Sequence, residues 1–120
     1  MESANNKGIA RLIKAFGYSV AGIRECFRSE EAFRQELAAS LLIVPAALWL
    51  GDTGVERALL LGSWILVPIL ELFNSAMEAV VDRIGPEQHP LSGQAKDAAS
   101  ATVLLAIGLA TVIWALVLWP

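Results

Sequence analysis

The feature that most constrains this chain is a series of three long apolar segments. An uncharged run covers 37–50, a second apolar segment covers 58–81, and a third covers 98–119 without a charged residue. A bilayer core about 30 Å thick is crossed by a helix of about 20 apolar residues. Within that core, every backbone polar group must be bonded inside a helix or a closed barrel. The segments therefore predict an all-α membrane protein with three transmembrane helices.

The composition supports a single membrane domain over 1–120. Hydrophobic residues make up 56% of the 120 residues and charged residues 18%, which lies outside the usual range of soluble proteins. The first apolar run is too short to span alone, so we expect its helix to cover about 31–50, with the polar residues before it near the head groups. The single Cys26 excludes an intrachain disulfide, and with the single His89 it cannot form a zinc cluster.

The residues before the first span show a different pattern, typical of a helix that lies on a membrane. On a helix over about 9–29, seven apolar residues fall within about 100° of one another. They are Ile9, Leu12, Ile13, Phe16, Val20, Ile23 and Phe27, whereas Arg11, Lys14, Glu25 and Arg28 lie outside this stripe. An apolar face opposite a basic face indicates a position in the plane of the interface. We therefore predict an N-terminal amphipathic surface helix.

Basic residues are distributed unevenly between the spans. Six of the 9 basic residues precede the first apolar run at 37–50, Arg57 alone lies between the first two spans, Arg83 and Lys96 lie in the 82–97 loop, and none follows the third span. Because lysine and arginine are enriched on the cytoplasmic side, the N-terminus and the 82–97 loop are predicted to be cytoplasmic and the C-terminus to lie outside. This asymmetry is a topology signal, and no nucleic-acid-binding surface is indicated.

The second span carries polar residues on one face. In the segment ILELFNSAMEAVVD, the side chains of Glu71, Asn74, Ser75, Glu78 and Asp82 fall within about 60° of Glu71 and extend over about 16 Å. A carboxylate inside the hydrocarbon costs at least about 2.5–3.5 kcal/mol. Hydrogen bonds between membrane helices average only about 0.6 kcal/mol, so helix association alone does not explain these acids. The face therefore indicates a functional site at the cytoplasmic boundary, although Asp82 also fits a solvated helix end.

Two chemistries fit this face. Carboxylates hold Mg²⁺ together with substrate phosphates, and a deeper carboxylate is then a general base for a lipid hydroxyl. Alternatively, the acids belong to a small oligomeric proton or cation conductor. A conductor needs polar groups through the full depth of the membrane, whereas 59–70 offers little beyond Ser63. Spacing alone does not choose between the two.

The acidic segment also carries a resemblance to a known family. Its pattern Glu71-Leu-Phe-Asn-Ser-Ala-Met-Glu-Ala-Val-Val-Asp82, flanked by RLIKAFGYS at 11–19, EAFRQE at 31–36, VVDRIG at 80–85 and LSGQAKD at 91–97, resembles the bacterial integral-membrane diacylglycerol kinases. The resemblance covers essentially the whole chain. It implies transfer of the γ-phosphoryl group of MgATP to diacylglycerol in the bacterial inner membrane, making phosphatidic acid. It also implies a homotrimer of three-span subunits with active sites shared between neighbours.

The resemblance assigns roles to individual residues. Glu71 corresponds to the general base, Glu30 and Glu78 to ligands of the metal and of ATP, and Asn74 and Asp82 to supporting residues on the same face. Further residues expected to line ATP are Arg11, Tyr18, Glu87, Gln88, His89, Lys96 and Asp97. Residues expected on the lipid side, besides Glu71, are Gln35, Glu36, Ser100 and Trp114.

The chain departs from the family pattern at five positions. Pro68 lies three residues before Glu71, where it removes a helix hydrogen bond and is expected to disturb the span. The other departures are Met77, Pro86, Pro90 and Gln94, the last at a position where an arginine is frequent. Relatives of the same architecture phosphorylate undecaprenol, so the lipid substrate has an alternative at this point.

Overall fold

The computed structural model describes residues 4–120, with side chains from Lys7 onward. In this range the chain forms four helices, namely α1 (Ala4–Ser29), α2 (Glu31–Leu50), α3 (Gly54–Ile84) and α4 (Pro90–Leu118). The last three are long and apolar enough to cross a membrane. The predicted all-α architecture, with an N-terminal helix followed by three membrane helices, is confirmed.

Helices α3 and α4 extend beyond the apolar segments 58–81 and 98–119. Thr53 caps the start of α3 by accepting a hydrogen bond from the backbone N–H of Glu56, whose side chain accepts in return from the backbone N–H of Thr53. Helix α4 begins at Pro90, where a missing N–H is harmless. Charged residues mark where a span leaves the hydrocarbon, but the helix itself continues into water. The loop expected over 82–97 is therefore reduced to the short connection 85–89.

The three long helices pack through residues that recur every seven positions. On α3 the buried residues Leu60, Val67, Asn74 and Val81 follow this spacing. On α2 it joins the buried Phe33 and Ala47 through the half-buried Ser40, and on α4 it joins the buried Ala99 and Ala106. A seven-residue repeat keeps one stripe of a helix against its neighbour. We call the α3 stripe of residues 60, 67, 74 and 81 the α3 seam.

Helix α4 packs mainly on α3. Its small residues face this contact, because Ala106 and Ala110 are buried. Small side chains let helix backbones approach closely in a membrane. These small residues of α4 thus serve packing inside the chain.

Helix α1 makes few contacts with the other helices and leaves its predicted apolar stripe exposed. Only Cys26 is buried among its described side chains. The molecule measures 56 × 48 × 22 Å, and 48 Å is wider than three helices packed 8–10 Å apart. Helix α1 therefore extends sideways from the bundle, as expected for a surface helix.

Hydrogen bonds tie α2 to α3 near the turn that joins them and in the middle. Near the α2–α3 turn, Arg57 Nε donates to the carbonyl of Leu48 at 3.2 Å. In the middle, Trp64 Nε1 donates to Ser40 Oγ at 2.9 Å. Helix α3 continues through Pro68, and α2 likewise contains Pro45. Each proline removes one backbone hydrogen bond without ending its helix.

Candidate active site

The polar face of α3 is partly buried inside the chain. The side chains of Glu71 and Asn74 are only 5% and 9% exposed, and those of Ser75 and Glu78 are half-buried. Asn74 belongs to the α3 seam, which explains its burial. Asp82, one turn beyond Glu78, is exposed. The predicted face therefore runs from a buried carboxylate to a solvated helix end.

Glu30 joins this face from a distant part of the sequence. It is the residue between α1 and α2, with extended backbone angles, and its side chain makes no capping bond. Instead, its Oε1 accepts a hydrogen bond from Ser75 Oγ at 3.3 Å. The contact brings together a carboxylate and the α3 face across 45 positions of sequence.

Arg34 fixes the corner in which Glu30 lies. Its Nη1 donates to the carbonyl oxygens of Phe27 and Arg28, at 2.8 and 2.9 Å. These carbonyls belong to the last turn of α1, which has no intrahelical partners for them. A side chain of α2 thus caps α1 and holds the angle between the two helices. The capping role of Arg34 has no signal in the sequence, because it depends on the bend at Glu30.

The two residues predicted as metal ligands have chemistry that fits Mg²⁺. Glu78 Oε1 accepts from Asn74 Nδ2 at 3.4 Å, as Glu30 Oε1 accepts from Ser75. Each carboxylate is therefore oriented by a neutral donor and keeps its second oxygen for a ligand. Hard oxygens of one or two carboxylates, completed by phosphates, are the usual protein ligands of Mg²⁺. The described residues include no cluster of three or more side chains that would form a self-sufficient metal site.

Two buried polar atoms near this face have no hydrogen-bond partner in the described part of the chain, Asn74 Oδ1 and Glu36 Oε2. Unpaired buried polar atoms are rare and call for an explanation, such as a ligand. Asn74 lies about one turn after Glu71 on α3. The arrangement therefore leaves acceptor atoms beside the predicted general base.

A second polar region lies at the connection between α3 and α4. A cavity of about 610 Å³ is lined there by Asp82, Glu87, Gln88, His89 and Lys96, among others. Lys96 pairs with Asp82 at 2.7 Å. The N-cap His89 accepts the backbone N–H of Leu91 on its Nδ1 at 3.0 Å. Four of the residues predicted to line ATP, Glu87 to His89 and Lys96, are thus brought together.

Five other predicted residues are not among those that line the cavity or bond to Glu30 and Glu78. Arg11 and Tyr18 lie on the exposed α1, Tyr18 with 75% of its surface accessible, and Asp97 and Ser100 are exposed on α4. Gln35 donates to Glu31 at 3.4 Å. The roles of these five residues stay predictions, as do those of the residues in the two regions.

Trp114 lies far from the predicted base. Its Nε1 donates to the carbonyl of Leu60 at 3.0 Å. Leu60 precedes Glu71 by eleven positions, which corresponds to about 16 Å along α3. Trp114 and Trp64 line an apolar groove of about 260 Å³. Within one chain, Trp114 is therefore a packing residue of the deeper bundle.

Comparison with known proteins gives an independent indication of the family of this chain. The sequence profile of the family described as "Prokaryotic diacylglycerol kinase" matches residues 17–118. A diacylglycerol kinase of Escherichia coli K12 is 53% identical over 115 residues, covering 96% of this chain and 94% of that protein. Diacylglycerol kinases of Pseudomonas aeruginosa and Haemophilus influenzae are 45% identical over 111 residues and 44% over 107, covering 92% and 89% of this chain and 90% and 91% of those proteins.

Proposed function

The chain belongs to the prokaryotic diacylglycerol kinase family and is a lipid kinase, and we propose that it transfers the γ-phosphoryl group of MgATP to the hydroxyl of diacylglycerol through Glu71. The observation that carries this proposal is a carboxylate, 5% exposed, in a membrane helix whose polar face is also bonded to Glu30 through Ser75. The product is phosphatidic acid, and ADP leaves.

Glu71 is the general base in this proposal. Its carboxylate takes the proton of the lipid hydroxyl while the hydroxyl oxygen attacks the γ-phosphorus and the bond to the leaving ADP oxygen breaks. The described residues offer it no ion pair, so its oxygens are available for that proton. Its place in a membrane helix, three turns from the exposed Asp82, suits a substrate that arrives from the bilayer.

Glu30 and Glu78 would hold Mg²⁺ with the phosphates of ATP. When bound, the ion offsets phosphate charge and aligns the γ-phosphoryl group. Asn74 keeps Glu78 oriented, and Ser75 keeps Glu30 oriented, through the hydrogen bonds described above. These bonds act before substrate binds, so the two carboxylates need little rearrangement.

The cavity at the α3–α4 connection is the proposed nucleotide side of the site. It is lined by Glu87, Gln88, His89 and Lys96. The other residues proposed to contact ATP are Arg11, Tyr18 and Asp97. The proposed lipid side contains Gln35, Glu36, Ser100 and Trp114. Since Tyr18 is exposed on α1 and Trp114 bonds to Leu60 within one chain, a homotrimer with sites shared between neighbours is proposed.

The chain is a membrane protein by its family and by its three apolar helices. The proposed location is the bacterial inner membrane, with the N-terminus and the α3–α4 connection in the cytoplasm, where ATP is present. The basic residues before α2 support this orientation. The structure does not favour the conductor alternative. Ser63, the polar residue of 59–70, donates its hydroxyl proton to the carbonyl of Leu60 in its own helix.

The test measures transfer of labelled γ-phosphate by purified protein in mixed micelles that contain diacylglycerol or undecaprenol. The proposal expects product from diacylglycerol, no turnover in Glu71→Gln with MgATP binding retained, and weaker MgATP binding in Glu78→Gln. Glu31→Gln, which changes an exposed acid next to Glu30, is the matched control and stays active.

Each alternative has its own outcome in this test. A clear preference for undecaprenol would replace the lipid but keep the chemistry. Full turnover in Glu71→Gln would remove the proposed base, and unchanged MgATP affinity in Glu78→Gln would remove the proposed metal ligand. No product from either lipid with folded protein would direct the next measurement to cation flux in liposomes.

A further inference from the structure

The hydrogen bond between Trp64 and Ser40 joins α2 to α3 inside the apolar part of the bundle. Trp64 Nε1 donates to Ser40 Oγ at 2.9 Å, and Ser40 Oγ donates to the carbonyl of Glu36 at 2.8 Å. Both side chains are half-buried. The one hydroxyl proton of Ser40 is thus committed to its own helix, and its lone pair faces the indole. The pair therefore has one well-defined arrangement.

This bond lies near two acids, Glu36 on α2 and Glu71 on α3. Ser40 is four positions, about one turn, after Glu36, and Trp64 is seven positions, about two turns, before Glu71, on the same side of each helix. Glu36 Oε2 is buried without a hydrogen-bond partner among the described residues. The spacing of the two acids is therefore set by the register of their helices and not by a bond of their own.

Both helices have weakened backbones in this region. Pro45 interrupts the hydrogen bonding of α2, and Pro68 that of α3 between Trp64 and Glu71. Proline positions are the usual sites of helix bending. A side-chain bond between the two helices opposes sliding or bending at this level.

We propose that Trp64 and Ser40 are positioning residues of the kinase reaction, holding Glu36 at the level of Glu71 by fixing the register of α2 against α3. This assignment rests on the proposed function, in which Glu71 takes the proton of the lipid hydroxyl. Misplacement of reacting groups by about 1 Å lowers rates by up to on the order of 100-fold. Loss of one register bond in an otherwise packed bundle corresponds to a smaller displacement and a smaller loss.

The experiment compares Ser40→Ala, Trp64→Phe and the double variant in the phosphate-transfer assay. Each single variant lowers kcat by about three- to tenfold, with KM for MgATP unchanged because Ser75 holds Glu30 separately. The double variant loses no more than a single one, since both act through one bond. Ser40→Thr, which keeps the hydroxyl, stays within about twofold of wild type.

Ser63→Ala is the matched control. It removes a buried hydroxyl from α3 next to Trp64, but that hydroxyl bonds only to the carbonyl of Leu60 in its own helix. Its kcat stays at the wild-type value, and thermal denaturation followed by circular dichroism checks that every variant is folded.

Several results would overturn the assignment. They are wild-type kcat in both single variants, additive losses in the double variant, a rise in KM for MgATP that accounts for the loss, or an equal loss in Ser63→Ala. These results with an active wild type and an inactive Glu71→Gln would overturn this assignment alone. A wild-type protein without kinase activity would overturn the proposed function and this assignment with it.

Discussion

The hydrogen bond from Ser75 to Glu30 gives a prediction that separates nucleotide binding from proton transfer. Ser75→Ala removes the donor that holds Glu30 Oε1 on the face of α3. Glu30 then loses its only hydrogen bond to α3 among the described residues, while Glu71 keeps its position. The expected effect is therefore on the affinity for MgATP and not on the chemical step.

The size of this effect follows from the geometry. A hydrogen bond to a charged group contributes about 1.5–3 kcal/mol. The distance of 3.3 Å between Ser75 Oγ and Glu30 Oε1 exceeds the roughly 2.5–2.7 Å of a strong hydroxyl–carboxylate bond. We therefore take about 1 kcal/mol. Since about 1.4 kcal/mol corresponds to a factor of ten, KM for MgATP should rise about fivefold.

The assay is phosphate transfer at saturating diacylglycerol with varied MgATP. Ser75→Ala raises KM for MgATP with kcat within about twofold of wild type, and Ser75→Thr restores affinity. Ser19→Ala is the control. Ser19 and Ser75 both line a groove between α1 and α3, but Ser19 bonds only to the carbonyl of Ala15 among the described residues. In a Glu30→Gln background, Ser75→Ala should add little. An unchanged KM, or the same increase in that background, would refute the reasoning.

Three further predictions concern the corners of the fold. Arg34→Met removes the donor to the last carbonyls of α1 and should raise KM for MgATP about two- to fivefold, since such contacts contribute about 0.3–1 kcal/mol. Arg34→Lys should recover part of this loss, and an Arg34→Met variant with the wild-type KM would contradict the role. Gly51→Ala places a Cβ 2.9 Å from the backbone nitrogen of Arg57, so thermal denaturation in detergent should show a loss of about 1–3 kcal/mol, whereas Asp52→Ala should change little. Burial raises the pKa of the Cys26 thiol, so at pH 8 this residue carries less thiolate than an ordinary cysteine. Cys26 should therefore react with iodoacetamide more slowly in the folded than in the denatured protein, and equal rates would show an accessible thiol.

The sequence was sufficient for the parts of the fold that depend on local pattern. The lengths of the apolar segments predict three membrane helices, and the spacing of Glu71, Asn74 and Glu78 places them on one face of α3. The predicted positions of the helix ends were less accurate, because hydropathy reports where a helix leaves the membrane and not where the helix ends. The start of α4 depends instead on the Pro90 ring and on the His89 cap.

Contacts between helices could not be predicted from pattern. Ser75 was expected on the acidic face, but nothing in the sequence pairs it with Glu30, and Trp64 gave no sign that it meets Ser40. Such pairs depend on the register of antiparallel helices, which local sequence pattern does not report. Residue roles taken from a family resemblance stay predictions for the same reason, since a role depends on three-dimensional contacts.

The position of Asn74 in the α3 seam implies a trade-off between stability and activity. Leu60, Val67 and Val81 show what the packing of this stripe favours, and an aliphatic residue at position 74 would complete it. The sequence instead keeps an amide there, with one buried atom unpaired and the other oriented toward Glu78. Local conflicts of this kind between fold and site are expected where function is retained at the expense of packing. Selection for a more stable bundle would therefore act against the site first at this residue.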